Sequence, residues 1–207
     1  MKVMVFNGAP KPKGTTAYAL SLVEEELNAA GIETVTVQVG TKPVAGCIAC
    51  NSCSKTGECV FADDGVNEAA KLAEECDGFV FGAPTYYFSA AGQARSFLDR
   101  LYYSAGSKLR FKPCAVLSVA RRAGTVTAVD DLLKYPMINQ QPVVSTCYIP
   151  VAFGSNAEQM QQDEEGIRIM RTLGRNMAWM LKSIEAGREA GVQIPEELPR
   201  AMTNFIR

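Results

Sequence analysis

Five short runs rich in β-branched and aromatic residues, at 2–6, 34–39, 78–82, 114–119 and 143–149, alternate with stretches of helical periodicity. Each run is bounded by Gly, Pro or polar residues, and its apolar character is nearly continuous. That is the pattern of a strand buried on both faces. Between the runs, Leu20, Val23, Leu27 and Ala30 recur at helical spacing, as do Val66, Ala69, Ala73 and Cys76, then Ile167, Met170, Met177 and Ile184. Strand and helix alternating through short connections lead to right-handed crossovers and a parallel sheet covered by helices on both faces. A length of 207 residues with 47 % apolar content suits one such layered core, and no repeat, low-complexity tract or linker divides it. One domain over 1–207 is therefore expected. The stretch from Val192 onward, carrying Pro195 and Pro199, reads as irregular and placed to lie on a neighbouring element or subunit.

Charge and residue usage narrow the chemistry. Lys plus Arg number 21 against 22 Asp plus Glu, so there is no positive excess to hold a nucleic-acid backbone. The apolar start at 1–6 is too short for a signal peptide, and no later stretch could span a bilayer. A cytoplasmic protein without membrane or nucleic-acid partners is expected. Histidine is absent altogether, which removes imidazole acid-base catalysis, histidine triads and histidine metal ligands at once. Demanding chemistry must then come from a cofactor or from cysteine.

Three loops follow strands in positions where an open α/β sheet binds ligands. After the first strand comes Asn7-Gly8-Ala9-Pro10-Lys11-Pro12-Lys13-Gly14-Thr15-Thr16, opening directly into a helix. Backbone N–H groups, the positive end of the helix dipole and two hydroxyls make this a phosphate seat, although an ordinary threonine-capped turn would read the same. It is not a Walker loop, because Lys13 precedes Gly14, and it lacks G-x-G-x-x-G, which leaves a phosphomonoester such as that of FMN. After the third strand, Ala83-Pro84-Thr85-Tyr86-Tyr87-Phe88-Ser89 sends three aromatics out on a loop that could wall a flat ring system. After the fourth, Ala120-Arg121-Arg122-Ala123-Gly124-Thr125 offers close backbone approach and cationic donors.

The loop at 40–62, after the second strand, holds Cys47, Cys50, Cys53 and Cys59 as C-x2-C-x2-C-x5-C. Ferredoxin-type sequences begin with the same spacing, because short turns bring successive thiolates to one cluster. Three readings stay open: a cubane cluster, free thiols with a redox-active pair among them, and a zinc site, which more often uses two separated knuckles. Cys76, Cys114 and Cys147 stand singly and read as small core residues.

In these loops the chain resembles the flavodoxin-like NAD(P)H-dependent FMN oxidoreductases, and its compact cysteine motif resembles that of their iron-sulfur flavoprotein branch. The likeness runs from Met1 to the end, with Asn7 to Thr16 similar to the family's phosphate loop and Ala83 to Ser89 to its flavin-ring loop, and includes Ser96-Phe97-Leu98-Asp99-Arg100 and the closing Thr203-Asn204-Phe205-Ile206-Arg207. It departs from the family pattern at Ala9, where serine is usual, at Lys11, where arginine is common, and at Thr15, where asparagine or serine is common. The resemblance implies a flavodoxin-like five-stranded parallel sheet of order 2-1-3-4-5. It implies FMN with its phosphate on Lys11, Gly14, Thr15, Thr16 and Ala17. The ring would lie beside Pro84, Thr85, Tyr86, Tyr87 and Phe88 and beside Arg121, Arg122, Ala123 and Gly124. It also implies a [4Fe-4S] cluster on Cys47, Cys50, Cys53 and Cys59, NAD(P)H as co-substrate, and a small acceptor such as a quinone, nitro or azo compound or a free flavin. An electron carrier fed by ferredoxin is the alternative, and a flavin-free interaction module is a third. A homodimer or tetramer is expected, pairing through 91–103, where Phe97, Leu101, Tyr102 and Tyr103 exceed what one sheet-facing stripe needs.

Overall fold

The computed structural model describes residues 1–199. In chain order the elements are β1 (Lys2–Asn7), α1 (Thr15–Ala29), β2 (Glu33–Gln38), α2 (Cys53–Thr56), α3 (Val66–Glu75), β3 (Gly78–Tyr86) and β4 (Ser89–Ala90). They continue as α4 (Gly92–Leu109), β5 (Cys114–Ala120), α5 (Thr125–Ile138), β6 (Val151–Phe153), α6 (Ala157–Met160) and α7 (Glu164–Glu189). The parallel strands lie in the order β2-β1-β3-β5-β6, which is the expected 2-1-3-4-5 arrangement. The sheet holds six strands instead of five, because the two-residue β4 folds back antiparallel on the end of β3.

Side chains alternate across each strand, so each strand feeds two cores. Met4, Phe6, Phe79 and Phe81 point to the face covered by α3, α4 and α5, where Phe6 stacks on Phe97 with ring centroids 4.8 Å apart. Val3, Val5, Val80 and Leu117 point to the face covered by α1 and α7. These two helices come close because Gly174 lacks a side chain: a Cβ there would lie 2.8 Å from the Val23 carbonyl oxygen. The helical stripes read from the sequence face inward as expected at Leu20, Val23, Leu27, Val66, Ala69, Ala73, Met170 and Met177, whereas Ile184 is exposed.

The fifth parallel strand is not the expected 143–149 but β6, at 151–153. Val143 makes a single bridge to Cys114, and the Val144 amide donates to the Cys114 carbonyl at 2.9 Å. The chain then leaves the sheet and rejoins it where Val151 pairs with Ser118. In between it rests on α7, with the Asn176 amide donating to the Ser145 carbonyl and the Thr146 hydroxyl to the Ile169 carbonyl. Cys147 lies on this excursion and is exposed, which corrects its placement in the core; Cys76 and Cys114 are buried as expected. Burial pushes the Cys76 thiol up to about 11 and the Cys114 thiol further up still.

Of the residues on α4 expected to pair subunits, Phe97 and Leu101 are buried in the core. Tyr102 packs against the core and donates to Gln141 at 2.7 Å, so Tyr103 alone of the four is exposed. From 192 to 199 the chain is irregular, and Glu197 pairs with Arg110. The segment 203–207 lies outside the described residues. Among the described residues no helix is long and apolar enough to cross a membrane.

Candidate functional site

At the carboxyl ends of β1, β3, β5 and β6 the loops enclose an open cleft of about 1180 Å³. Its floor is the turn from β1 into α1. Gly8 lets this turn lie against its neighbours: its amide donates to the Gly82 carbonyl at 2.8 Å, and a Cβ would meet Ala94 at 2.7 Å. Two side-chain amides hold the turn in shape. Asn7 accepts from the Ala9 amide at 3.1 Å and donates to Gln38 at 2.8 Å, while Gln38 donates onward to the Ala9 carbonyl. The turn is thus tied to both β1 and β2.

The helix that follows starts bare. Gly14 is its N-cap and offers no side chain, and no acidic residue stands in the first turn. The amides of Thr15, Thr16 and Ala17 therefore open into the cleft with the positive end of the helix dipole behind them and no carboxylate in the first turn to compete. Lys11 and Lys13 line the same rim and are exposed, while Thr16 is buried at the base. An anion fits this cradle: its donors are in place and no acid stands in the first turn of the helix, although Glu24, further along α1, and Glu158 also line the cleft.

The second wall comes from β3. Pro84, Thr85 and Tyr86 line the cleft, and Thr85 pairs with the Ser118 hydroxyl at 2.9 Å beneath it. Beyond Tyr86 the chain turns at once into β4, so Tyr87 and Phe88 form a two-residue hairpin turn with φ of 48° and 63°. Both angles are left-handed, the geometry of a type I′ turn that Asn-Gly usually supplies. The hairpin is fastened to α5, since Asp131 accepts from both the Ser89 hydroxyl and the Ala90 amide. Tyr87 and Phe88 are exposed and do not line the cleft. Arg121 does line it, but Arg122, Ala123 and Gly124 lie outside. Gly124 instead receives the hairpin: its φ is +87°, and a Cβ would stand 2.8 Å from the Phe88 Cα.

Lys11, Gly14, Thr15, Thr16, Ala17, Pro84, Thr85, Tyr86 and Arg121 thus come together around one cleft. Sequence reasoning placed Asn7 in the phosphate loop without giving it a role, and missed Gln38 and the loop Gly154-Ser155-Asn156-Ala157-Glu158 after β6, which also line it. That loop joins the cradle through the Thr15 hydroxyl, 3.5 Å from the Gly154 carbonyl. Two amides ending adjacent strands were a visible signal for the pairing of Asn7 with Gln38, whereas the Gly154 loop was hidden by misplacing the fifth strand.

The cysteine loop forms a separate site. Cys47, Cys50, Cys53 and Cys59 all line one small cavity of about 30 Å³ against Arg100 and Tyr103 of α4, and all four are free thiols. Left-handed backbone at Ala49 and Asn51 winds the loop tightly enough to bring them there. Among the described residues no three Cys, Asp or Glu side chains converge on a point where a single ion would sit. The cavity shares no lining residue with the cleft. Gln93 of α4 pins the start of the loop through the Gly40 and Lys42 carbonyls, and Arg100 stands seven residues on, roughly 10 Å along the helix.

A parallel sheet in this order, with an open cleft at its carboxyl edge and a bare helix N-terminus beside its first strand, defines a flavodoxin-like α/β protein. The chain belongs to the NADPH-dependent FMN reductase family, whose profile matches residues 1–156. It is 31 % identical to an iron-sulfur flavoprotein of Methanocaldococcus jannaschii, in an alignment covering 89 % of this chain and all of that protein. An iron-sulfur flavoprotein of Archaeoglobus fulgidus is 27 % identical, with 83 % of this chain and 86 % of that one covered. Among solved structures, the fold matches RosB with bound 8-demethyl-8-formylriboflavin-5'-phosphate at a TM-score of 0.66 and 16 % identity, over 100 % of this chain and 92 % of that one. It matches the flavoenzyme NAD(P)H:(acceptor) oxidoreductase FerB of Paracoccus denitrificans at 0.62 and 15 % identity, over 88 % and 97 %.

Proposed function

We propose that the protein is an FMN-dependent oxidoreductase that takes electrons from NAD(P)H and passes them to a small acceptor, a quinone, a nitro or azo compound or a free flavin. The observation that carries this reading is the uncapped, acid-free N-terminus of α1 opening into the cleft, in a chain of the FMN reductase family. The amides of Thr15, Thr16 and Ala17 would hold the FMN phosphate, with Lys11 and Lys13 adding charge at the rim. Asn7 and Gln38 keep those amides aimed by fixing the turn before them. Pro84, Thr85 and Tyr86 on one side and Arg121 on the other would flank the ring. Bound FMN supplies the hydride and electron chemistry that a chain without histidine does not. The protein's part is to bind, orient and leave one side open, and the breadth of the cleft, above the usual roughly 300–1,000 Å³ of ligand sites, leaves room for a second flat molecule.

For the cysteine loop the same reading holds a [4Fe-4S] cluster on Cys47, Cys50, Cys53 and Cys59. Four free thiols around one cavity, in the C-x2-C-x2-C spacing that opens ferredoxin-type motifs, support it. The names of the relatives in Methanocaldococcus and Archaeoglobus support it. The second reading is an electron carrier supplied by ferredoxin, with the cysteine loop as the point where electrons enter.

The deciding experiment is anaerobic mixing of the FMN-loaded protein with NADPH, with NADH and with reduced ferredoxin, following flavin bleaching. Bleaching by a nicotinamide, reversed on adding a quinone, is the expected result. Bleaching by ferredoxin alone would replace the enzyme with the carrier.

A further inference from the structure

Arg100 sits in the middle of α4 with a side chain only 1 % exposed, and all five of its N–H donors are used. Nη1 donates to Asp64 Oδ2 and, at 3.3 Å, to the Ala45 carbonyl. Nη2 donates to Asp64 Oδ1 at 3.0 Å and to the Phe61 carbonyl at 2.7 Å. Nε donates to the Cys59 sulfur at 3.1 Å. Ala45 precedes the first cysteine of the loop and Phe61 follows the last, so one guanidinium clasps both ends of the motif to the helix. The Phe61 ring covers the same cation from 5.1 Å.

Cys59 is held from its other side as well. The buried Asn67 accepts from the Cys59 amide at 2.8 Å and donates to the Cys59 carbonyl at 2.9 Å. The Cys53 thiol, by comparison, reaches only the Tyr103 carbonyl, at 3.7 Å. A buried ion pair is a costly way to fasten a loop, and apolar packing would do it at least as well. What apolar packing cannot supply is a fixed N–H aimed at one sulfur.

We propose that Arg100, oriented by Asp64, is a positioning residue for Cys59. It seats the cysteine loop on α4 before any metal is bound, and its Nε–H donates to the Cys59 sulfur once that sulfur ligates iron. The second half of this statement rests on the cluster reading; the first does not. A donor and a positive charge beside a ligating sulfur stabilise the more negative, reduced cluster, so Arg100 raises the reduction potential.

The test compares the FMN-loaded parent with Arg100→Gln and Arg100→Lys. Hydrogen exchange over residues 44–64 is read in cluster-free protein; iron, sulfide and the cluster midpoint potential are read after anaerobic reconstitution. Both variants are expected to keep one FMN per chain while exchange over 44–64 quickens by about tenfold or more, as a clasp lost from a local opening unit requires. The midpoint potential is expected to fall, further in Gln than in Lys, which keeps the charge but cannot reach sulfur, carboxylate and both carbonyls together. If Arg100→Gln fails to retain FMN, Arg100→Lys decides by the same readings. Unchanged exchange, or a parent-like potential in the loaded variants, would overturn the proposal. A parent that takes up no iron would remove the cluster reading alone, with exchange over 44–64 still judging the role of Arg100.

Discussion

At Tyr87 and Phe88 the chain carries two bulky aromatics where the backbone is left-handed, each at a cost of about 1–2 kcal/mol against Asn-Gly in the same turn. Neither recovers that cost by burial, since Tyr87 is fully exposed and Phe88 is 66 % exposed. Strain of this kind clusters at ligand sites, and although neither ring lines the cleft, the hairpin follows directly on Tyr86, which does. Replacing the pair, Tyr87→Asn with Phe88→Gly, is therefore expected to raise the melting temperature by several degrees and to lower acceptor reduction by NAD(P)H. Thermal melts and steady-state turnover check it together. A lower melting temperature would show that the aromatics hold the hairpin itself.

Among the elements, α1 and α7 show how side-chain chemistry reinforces packing. Glu26 sits between Arg175 and Arg171, with oxygens 2.7 and 2.9 Å from their nitrogens, over the contact that Gly174 makes possible. The hydrogen bonds from Arg175 and then Arg171 hold its carboxyl below the ordinary value of 4.5, against a smaller opposing effect of burial. A carboxylate lowered on folding contributes stability above its unfolded value and loses it as the pH falls through the folded one. Glu26→Gln is expected to cost about 1 kcal/mol at neutral pH, and the gap should close in acid below the ordinary value, as denaturant melts at two pH values would show. A gap that stays constant into acid would mean packing, not charge. At this scale the sequence was most readable where burial is complete: β1, β3 and β5 declare themselves by unbroken apolar runs. β6 did not, because it is an edge strand with only three paired residues, and the richer β-branched run before it, from Val143, is carried off the sheet onto α7. The helix α5 also went unread, having a weak stripe with Pro136 inside it.

For the molecule as a whole, the cleft and the cysteine cavity are two sites on one fold, with α4 running between them. The order of the strands brought the phosphate turn, the end of β3 and Arg121 together, as the alternation in the sequence implied. The contribution of the loop after β6 and the buried clasp of Arg100 could not be read beforehand, because each depends on contacts between segments far apart in the chain. The bare α1 N-terminus predicts an affinity for a phosphate and not for a flavin ring alone. Titrating flavin-free protein with FMN and with riboflavin, which differ by that phosphate, measures this directly. Binding of one FMN per chain at least about a hundredfold tighter than riboflavin is the predicted result, a difference of about 2.7 kcal/mol. Equal affinities for the two would contradict it.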